Sequence, residues 1–279
     1  MSPMGTLFLV ATPIGNLEDL SPRALRTLRN VHLIAAEDTR VTRKLLTHFD
    51  LHTPLTSYFE HNKLTKLEAI LAALSQGDVA LVSDAGTPAI NDPGYELVRA
   101  ALSAGHAVSP IPGPSAPLAA LAASGLPTDS FLYLGYLPRK ASERREYIGQ
   151  ISHLPYTLIF LEAPHRLLAA LADLESCLGD RPVAVARELT KLYEEIWRGS
   201  LSQAQAHFTH VEPRGEFTLV IAGQKVTEGT TWTQERVAEA IQQGLASGEG
   251  ASALASRLAS VSGWPRREIY KLTTALIHK

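Results

Sequence analysis

Three loops made of small residues and prolines follow predicted strands in the first half of the chain. They are Ala11-Thr12-Pro13-Ile14-Gly15-Asn16, Ser83-Asp84-Ala85-Gly86-Thr87-Pro88 and Pro112-Gly113-Pro114-Ser115-Ala116. Loops at the carboxyl ends of strands in an open α/β sheet converge on a crevice where ligands bind. Small residues let backbone groups approach a ligand closely, and prolines restrict the loop to few conformations. The three loops together predict one site for a flat, polar small molecule, although each alone could be an ordinary tight turn.

Asp84 is the one charged residue in these loops. Its carboxylate can accept hydrogen bonds from a ligand amino group or ribose hydroxyl, and its alternative role is to cap the turn that follows. The loops contain neither G-x-G-x-x-G nor G-x-x-x-x-G-K-[ST], so the sequence argues against a dinucleotide-binding dehydrogenase or an NTPase.

Two groups of charged residues follow further predicted strands. The first is Glu37, Asp38 and Arg40, and the second is Glu162, His165 and Arg166. Carboxylates can orient or deprotonate a hydroxyl, and arginines can hold neighbouring phosphates, so Glu37, Asp38, Arg40 and Glu162 are the predicted catalytic candidates. The competing interpretation is that Asp38 caps a helix over residues 40–46 and that His165 is a polar group at a helix start.

Two other charged clusters have simpler explanations. Arg187, Glu188 and Lys191 could form an ion-paired structural strip or contact the substrate. The basic cluster of Arg139, Lys140, Arg144 and Arg145 is expected to be a solvated helix face that could also grip an RNA backbone.

Alternating apolar segments indicate the elements that position these residues. Strands are predicted at residues 6–11, 31–36, 79–83 and 107–111, and in a second series of the same kind at 131–134, 157–161, 183–187 and 217–222. Helices are predicted at residues 21–29, 66–75, 95–103, 141–151 and 166–178. Strands that alternate with helices imply mostly parallel, covered sheets, and hence two tandem α/β domains with a cleft between them.

The C-terminal segment has a different pattern. Short helices predicted at residues 251–260 and 265–276 are joined by a glycine-containing turn, and the second carries Arg266, Arg267 and Lys271. This is the outline of a helix-turn-helix that contacts nucleic acid, and the alternative is a structural helical cap. The predicted domains are residues 1–126, 127–224 and 231–279.

Composition limits the class of protein. Of the 279 residues, 45% are hydrophobic and 19% are charged, which is typical of a soluble globular chain. A single cysteine, Cys177, excludes an internal disulfide framework and a thiolate zinc site, and no metal is expected. The apolar run at the amino terminus stops at Pro13, too short for a signal peptide or membrane span, so a cytoplasmic protein without a membrane partner is predicted. With a net charge of −2, nucleic acid would have to be held by local basic patches.

Six segments in order carry a resemblance to a known family. They are LFLVATPIGNLEDLSPRALRTLRNVHLIAAEDTRVTRKLL, LVSDAGTPAINDPGYELV, PIPGPSAPLAAL, TLIFLEAPHRLL, ARELTKLYEE and GEFTLVIAG, within residues 6–223. Together they resemble the ribosomal RNA small subunit methyltransferase I family of the tetrapyrrole methylase superfamily. The resemblance implies S-adenosylmethionine as cofactor, 16S ribosomal RNA of the small subunit as partner, 2′-O-methylation of a cytidine, and a homodimer. Ala11 departs from the wider superfamily, which often has glycine there.

The resemblance also implies which residues contact the cofactor. In the first half these are Pro13, Asp84, Ala85, Gly86, Thr87, Ser115 and Ala116, and in the second half they are Leu161, Ala186, Phe217 and Thr218.

The residues indicate the methylated atom only by elimination. Cys177 lies in a helical pattern away from the loops, which argues against cysteine-assisted carbon methylation, and the loops contain no aromatic residue on which a base could stack. The expected product is therefore a ribose 2′-O-methyl group. Two alternatives remain: a methyltransferase of the same fold that acts on a porphyrin precursor or a protein side chain, and a non-catalytic ribosome-assembly factor.

Overall fold

The computed structural model describes residues 5–225 and 232–277, which form two compact units, residues 1–224 and 225–279. The first half of the larger unit contains β1 (Leu7–Val10), α1 (Pro22–Asn30), β2 (Leu33–Ala36), α2 (Thr39–His48), β3 (Leu55–Ser57), α3 (Lys63–Leu74), β4 (Val79–Val82), α4 (Tyr95–Ser103), β5 (Val108–Ile111) and α5 (Ala116–Ser124). None of the helices in the described ranges is long and apolar enough to cross a membrane.

The first sheet has the strand order β3-β2-β4-β1-β5, and each pairing is parallel. Apolar side chains of α1 and α2 pack on one face, and those of α3 and α4 pack on the other. The prediction of a covered parallel sheet is confirmed here. Two elements were missed: β3 is a three-residue edge strand, and α5 is apolar on all sides and so gives no helical periodicity.

The second half contains β6 (Phe131–Tyr136), α6 (Ala141–Ile151), β7 (Thr157–Glu162), α7 (Leu167–Leu178), β8 (Pro182–Arg187), β9 (Glu195–Ser200), α8 (Leu201–His210) and β10 (Phe217–Ile221). Their sheet has the order β6-β7-β10-β8-β9, and only β6 and β7 pair in parallel. The expectation of a second mostly parallel sheet is wrong. The link from β8 to β9 is too short for a helical crossover, so the two strands form an antiparallel hairpin, and β9 was not predicted because it is only half-buried.

The C-terminal unit contains α9 (Gln234–Ala246), α10 (Ala251–Ser262) and α11 (Arg266–Ile277) around its own apolar core. Gly263, with a φ of 70°, ends α10 in the left-handed conformation that the predicted glycine turn requires. The Trp264 indole donates a hydrogen bond to the backbone oxygen of Trp232 at 2.7 Å. Residues 226–230, which fall between the predicted second and third domains, lie outside the described residues, as does residue 231. The domain boundary at residue 126 stays a prediction, although each sheet lies on one side of it.

Candidate functional site

A cavity of about 340 Å³, which we call the main cavity, lies where strand ends of the two sheets face one another. The β4 loop and the start of α5 line one side, and residues of β6, β7, β10 and the loop after β8 line the other. The lining residues are Ile14, Glu37, Asp84, Ala85, Gly86, Thr87, Ile90, Asn91, Asp92, Ser115, Ala116, Pro117, Tyr133, Tyr136, Leu161, Glu188, Leu189, Lys191, Glu216 and Thr218. This volume and mixed lining are in the usual range for a small-molecule site.

The structure brings most of the predicted cofactor residues together. Asp84, Ala85, Gly86, Thr87, Ser115, Ala116, Leu161 and Thr218 all line the main cavity. Pro13 instead lines an adjoining cavity that shares Ile14, Asp84 and Ala85 with the main one. Ala186 and Phe217 are fully buried in the second sheet, where Ala186 pairs with Thr218. Any contact that these last two residues make with a cofactor stays a prediction.

Carboxylates join the ends of β2 and β4. Glu37 Oε2 accepts a hydrogen bond from the Asp84 backbone N–H at 3.2 Å, and Asp84 Oδ1 accepts one from the Asp38 N–H at 3.0 Å. These reciprocal bonds fix the two loops relative to each other. Burial raises the pKa of the Glu37 carboxyl and of the Asp84 carboxyl above their usual values.

The cavity is acidic. Glu37, Asp84, Asp92, Glu188 and Glu216 line it together with a single cation, Lys191, whose Nζ lies 2.9 Å from Glu188 Oε1. Burial also raises the pKa of Asp92, with a further contribution from nearby Asp84. Asp84 is therefore one of several charges at the site, although it is the only one in the three loops. An excess of carboxylates favours a cationic ligand.

A β-bulge in β6 brings two tyrosines to the cavity. The register against β7 shifts between Tyr133 and Tyr136, and Gly135 has a φ of 65°. Residues three apart on a regular strand point to opposite faces, and the extra residue of a bulge corrects this, so both rings line the cavity. Burial raises the pKa of Tyr133 to about 12. The loops lack aromatic residues but the cavity does not, so the argument against base methylation from a missing aromatic platform is wrong.

The loops are held by backbone contacts. Thr12 and Gly86 exchange two backbone hydrogen bonds at 2.9 and 3.0 Å. A Cβ at Gly86 would lie 3.5 Å from Ile14 Cγ2, an ordinary contact, so glycine is required here by its φ of 80° and not by lack of space in the protein. Gly15 packs against the loop after β8: a Cβ there would lie 2.5 Å from Lys191 Cγ. This contact closes one edge of the site.

The predicted catalytic candidates separate into two positions. Glu37 lines the main cavity, whereas Asp38 caps α2 by accepting the Arg40 N–H at 2.8 Å. The Arg40 guanidinium pairs with Asp38 at 2.6 Å and lowers the pKa of that carboxyl to about 2. The capping role that was the competing interpretation for Asp38 is therefore present.

Glu162 lies at the end of β7, with a fully buried side chain that does not line the main cavity. Its Oε1 lies 3.2 Å from Arg166 Nε, and its Oε2 has no hydrogen-bond partner within the described ranges. Burial raises the pKa of Glu162. His165, Arg166 and Arg139 line a separate cavity. Tyr136 lines both that cavity and the main one.

The other charged clusters have mixed roles. Arg139, Lys140 and Arg145 are exposed, as predicted for a solvated helix face, but Arg144 is buried and forms a 2.6 Å ion pair with Asp173 of α7. Arg187 pairs with Glu195 of β9 at 2.6 Å, and Lys191 pairs with Glu188 at 2.9 Å, so the strip is ion-paired. Glu188 and Lys191 also line the main cavity, and contact between them and a substrate stays a prediction.

Several cavity residues were missed from the sequence. Asn91 and Asp92 lie three and four residues after the second loop, in the turn-forming run Asn91-Asp92-Pro93-Gly94, a signal that could have extended the site. Tyr133, Tyr136 and Glu216 gave no such signal, because only the bulge and the strand order bring them to the cavity.

Comparison with known proteins gives consistent similarities. Residues 6–205 match the family model of tetrapyrrole (corrin/porphyrin) methylases. Ribosomal RNA small subunit methyltransferase I of Synechocystis sp. is 48% identical, over 98% of this chain and 99% of the relative. The Bacillus subtilis protein of the same name is 43% identical, over 96% and 94% of the two chains.

Solved structures agree in fold. Uroporphyrin III C-methyltransferase of Thermus thermophilus superimposes with a TM-score of 0.55 at 20% identity, over 79% of this chain and 98% of that one. The same enzyme in complex with S-adenosylhomocysteine gives a TM-score of 0.53 at 21% identity, again over 79% and 98%. Similarity at this level shows a shared fold.

Proposed function

Because the chain belongs to the ribosomal RNA small subunit methyltransferase I family of the tetrapyrrole methylases, we propose that it methylates a cytidine 2′-hydroxyl in 16S ribosomal RNA of the small subunit, with S-adenosylmethionine as the methyl donor. Methyltransferase identity follows from the family. The RNA substrate and the 2′-oxygen are the proposal, and the names of the relatives support the first of them.

The observation that supports the methyl donor in this proposal is the acidic cavity at the converging loops. S-adenosylmethionine has a sulfonium cation, and five carboxylates face the space where it would bind. Its amino and hydroxyl groups can donate hydrogen bonds to the Asp84 carboxylate and to the backbone oxygens of the loops. The residues present therefore fit this cofactor, and a relative in fold is described as a complex with S-adenosylhomocysteine.

The protein's contribution to the reaction is to position the groups and to take up one proton. Bound S-adenosylmethionine would supply the methyl group to the ribose oxygen and would leave as a neutral thioether. The chain's own residues would have to align the ribose hydroxyl and accept its proton. Glu37 is the candidate acceptor because one carboxylate oxygen is held by Asp84 and the other is not used in that bond. Burial raises the pKa of Glu37, and a carboxylate whose pKa is closer to neutral pH is a stronger base.

The test is methylation of small subunits from cells that lack the protein, followed by alkaline hydrolysis of the 16S RNA. We expect resistance to cleavage on the 3′ side of one cytidine, because a 2′-O-methyl group removes the nucleophile. Normal cleavage at the methylated nucleotide would place the group on the base. Failure to methylate RNA, with transfer to a porphyrin precursor, would support the alternative substrate.

A further inference from the structure

Helices α1 and α2 lie on the same face of the first sheet. Ala24 and Leu28 of α1 and Leu45 and Leu46 of α2 belong to one apolar cluster with residues of β1, β2, β4 and β5. Because these apolar side chains face the sheet, the remaining side chains of both helices face outward.

The outward surface of these two helices is strongly basic. Neither helix contains an acidic residue, and together they carry Arg23, Arg26, Arg29, Arg40, Arg43 and Lys44, all exposed, as well as His48. Within the described residues, Arg26, Arg29, Arg43 and Lys44 make no ion pair. We call this surface the α1–α2 basic face.

The opposite face of the same sheet differs. There α3 and α4 mix both signs of charge, and Lys63 is paired with Glu60 at 2.8 Å and with Glu96 at 2.6 Å. The difference matters in a protein with a net charge of −2, because positive charge concentrated on one face is a local field and not a property of the whole surface.

The α2 part of the α1–α2 basic face adjoins the main cavity through a second cavity. Arg40, Arg43, Lys44 and His48 line a concavity on α2, and Lys44 also lines the adjoining cavity of about 300 Å³. That cavity shares Ile14, Asp84 and Ala85 with the main one. A chain lying across α2 can therefore reach the proposed methyl donor without leaving the surface.

We propose that the α1–α2 basic face binds phosphates of the substrate RNA and so leads its backbone to the acidic cavity. The inference rests on the proposed function and names the surface that this function needs. Carboxylates in the main cavity attract a sulfonium but repel phosphate, so the RNA backbone requires a separate positive surface close by. Phosphate contacts fix the position of an RNA without reading its sequence, as exposed arginines on a helix can do.

The test compares two charge-matched double variants of the full chain. Arg26→Gln/Arg43→Gln removes one cation from each helix of the basic face, and Lys66→Gln/Arg99→Gln does the same on the opposite face. Binding of small ribosomal subunits and of protein-free 16S RNA is measured between about 50 and 200 mM salt. S-adenosylmethionine affinity and the melting temperature are measured on the same samples to check the fold.

The first variant is expected to lose about tenfold or more in RNA affinity and to reduce the slope of log K against log salt by about 2, since each lost phosphate contact lowers it by about 1. Its S-adenosylmethionine affinity should equal that of the control variant. Equal RNA affinities and slopes in the two variants would overturn the proposal. So would a loss on small subunits alone, with protein-free RNA unaffected, because a protein of the particle would then be the partner. If the wild-type chain methylates no RNA, the proposed function fails, while the binding comparison still decides the role of this face.

Discussion

The carboxylates of the main cavity make ligand binding depend on pH. The raised pKa values of Glu37, Asp84 and Asp92 favour their protonated forms in the folded, ligand-free protein. Their contribution to stability is therefore present below their ordinary pKa values, near 4, and is lost as pH rises through the raised ones. A cationic ligand binds the ionised carboxylates, so its binding is favoured at higher pH.

We therefore expect S-adenosylmethionine affinity to fall as pH is lowered from neutrality toward the ordinary carboxyl range. S-adenosylhomocysteine, which lacks the sulfonium charge, should respond less. The variant Asp92→Asn should lower affinity for the sulfonium form by several-fold more than for the neutral form, as one charge–charge contact is removed. Calorimetry over a pH series measures both, with Glu68→Gln on the surface of α3 as the control. Identical pH dependence for the two ligands would contradict the electrostatic explanation.

Among the elements, the bulge in β6 gives a sharp test of how the site is built. Gly135→Ala places a side chain at a φ of 65° and a Cβ 2.2 Å from Asn91 Nδ2. We expect a loss of about 1–2 kcal/mol in the free energy of unfolding from the left-handed conformation alone, and weaker cofactor binding as Tyr133 and Tyr136 shift. Denaturation and calorimetry measure the two effects.

The matched control for that variant is Gly149→Ala on α6. A Cβ at Gly149 meets no atom within 4 Å among the described residues, and alanine is the better helix former. This variant should be neutral or slightly stabilising. If both alanine variants behave alike, the bulge is not essential to the cavity.

The ion pair of Arg144 and Asp173 joins α6 to α7. Both side chains are almost completely buried, and Arg144 Nε donates to Asp173 Oδ2 at 2.7 Å. Arg144→Met leaves a buried carboxylate without its main partner and should cost about 3–5 kcal/mol in the free energy of unfolding. Arg144→Met/Asp173→Leu should recover most of that loss. Urea unfolding measures both. A double variant as unstable as the single one would contradict this expectation, because the loss would then not come from an unpaired buried carboxylate.

At the scale of the whole molecule, the C-terminal unit is a candidate RNA-contact module. On α11, Arg267, Tyr270 and Lys271 are exposed, while Arg266 donates hydrogen bonds to Ser256 and Ser252 of α10. A chain ending at Gln224 keeps the main cavity and should retain S-adenosylmethionine affinity, but should lose activity on small ribosomal subunits, since phosphate contacts would be removed. Full activity of the shortened chain would show that the unit is a structural cap.

The sequence alone determined the elements and the loops whose patterns are local. The parallel first sheet, the three small-residue loops at its strand ends and the glycine turn before α11 follow from hydrophobic periodicity and turn chemistry, which need no knowledge of distant residues. The six segments also identified the family. The mixed second sheet was not predictable in this way, because β9 is only half-buried and is defined by its pairing with β8.

Only the tertiary structure decided which side chains share a space. Tyr136 and Glu216 reach the cavity through a bulge and a strand order that pairs β10 with β7, and Arg144 is buried because α6 lies against α7. The same holds for the α1–α2 basic face, where two helices separated by a strand in the sequence lie on one side of the sheet. Charge and burial depend on neighbours in space, and those neighbours are set by packing between segments that are far apart along the chain.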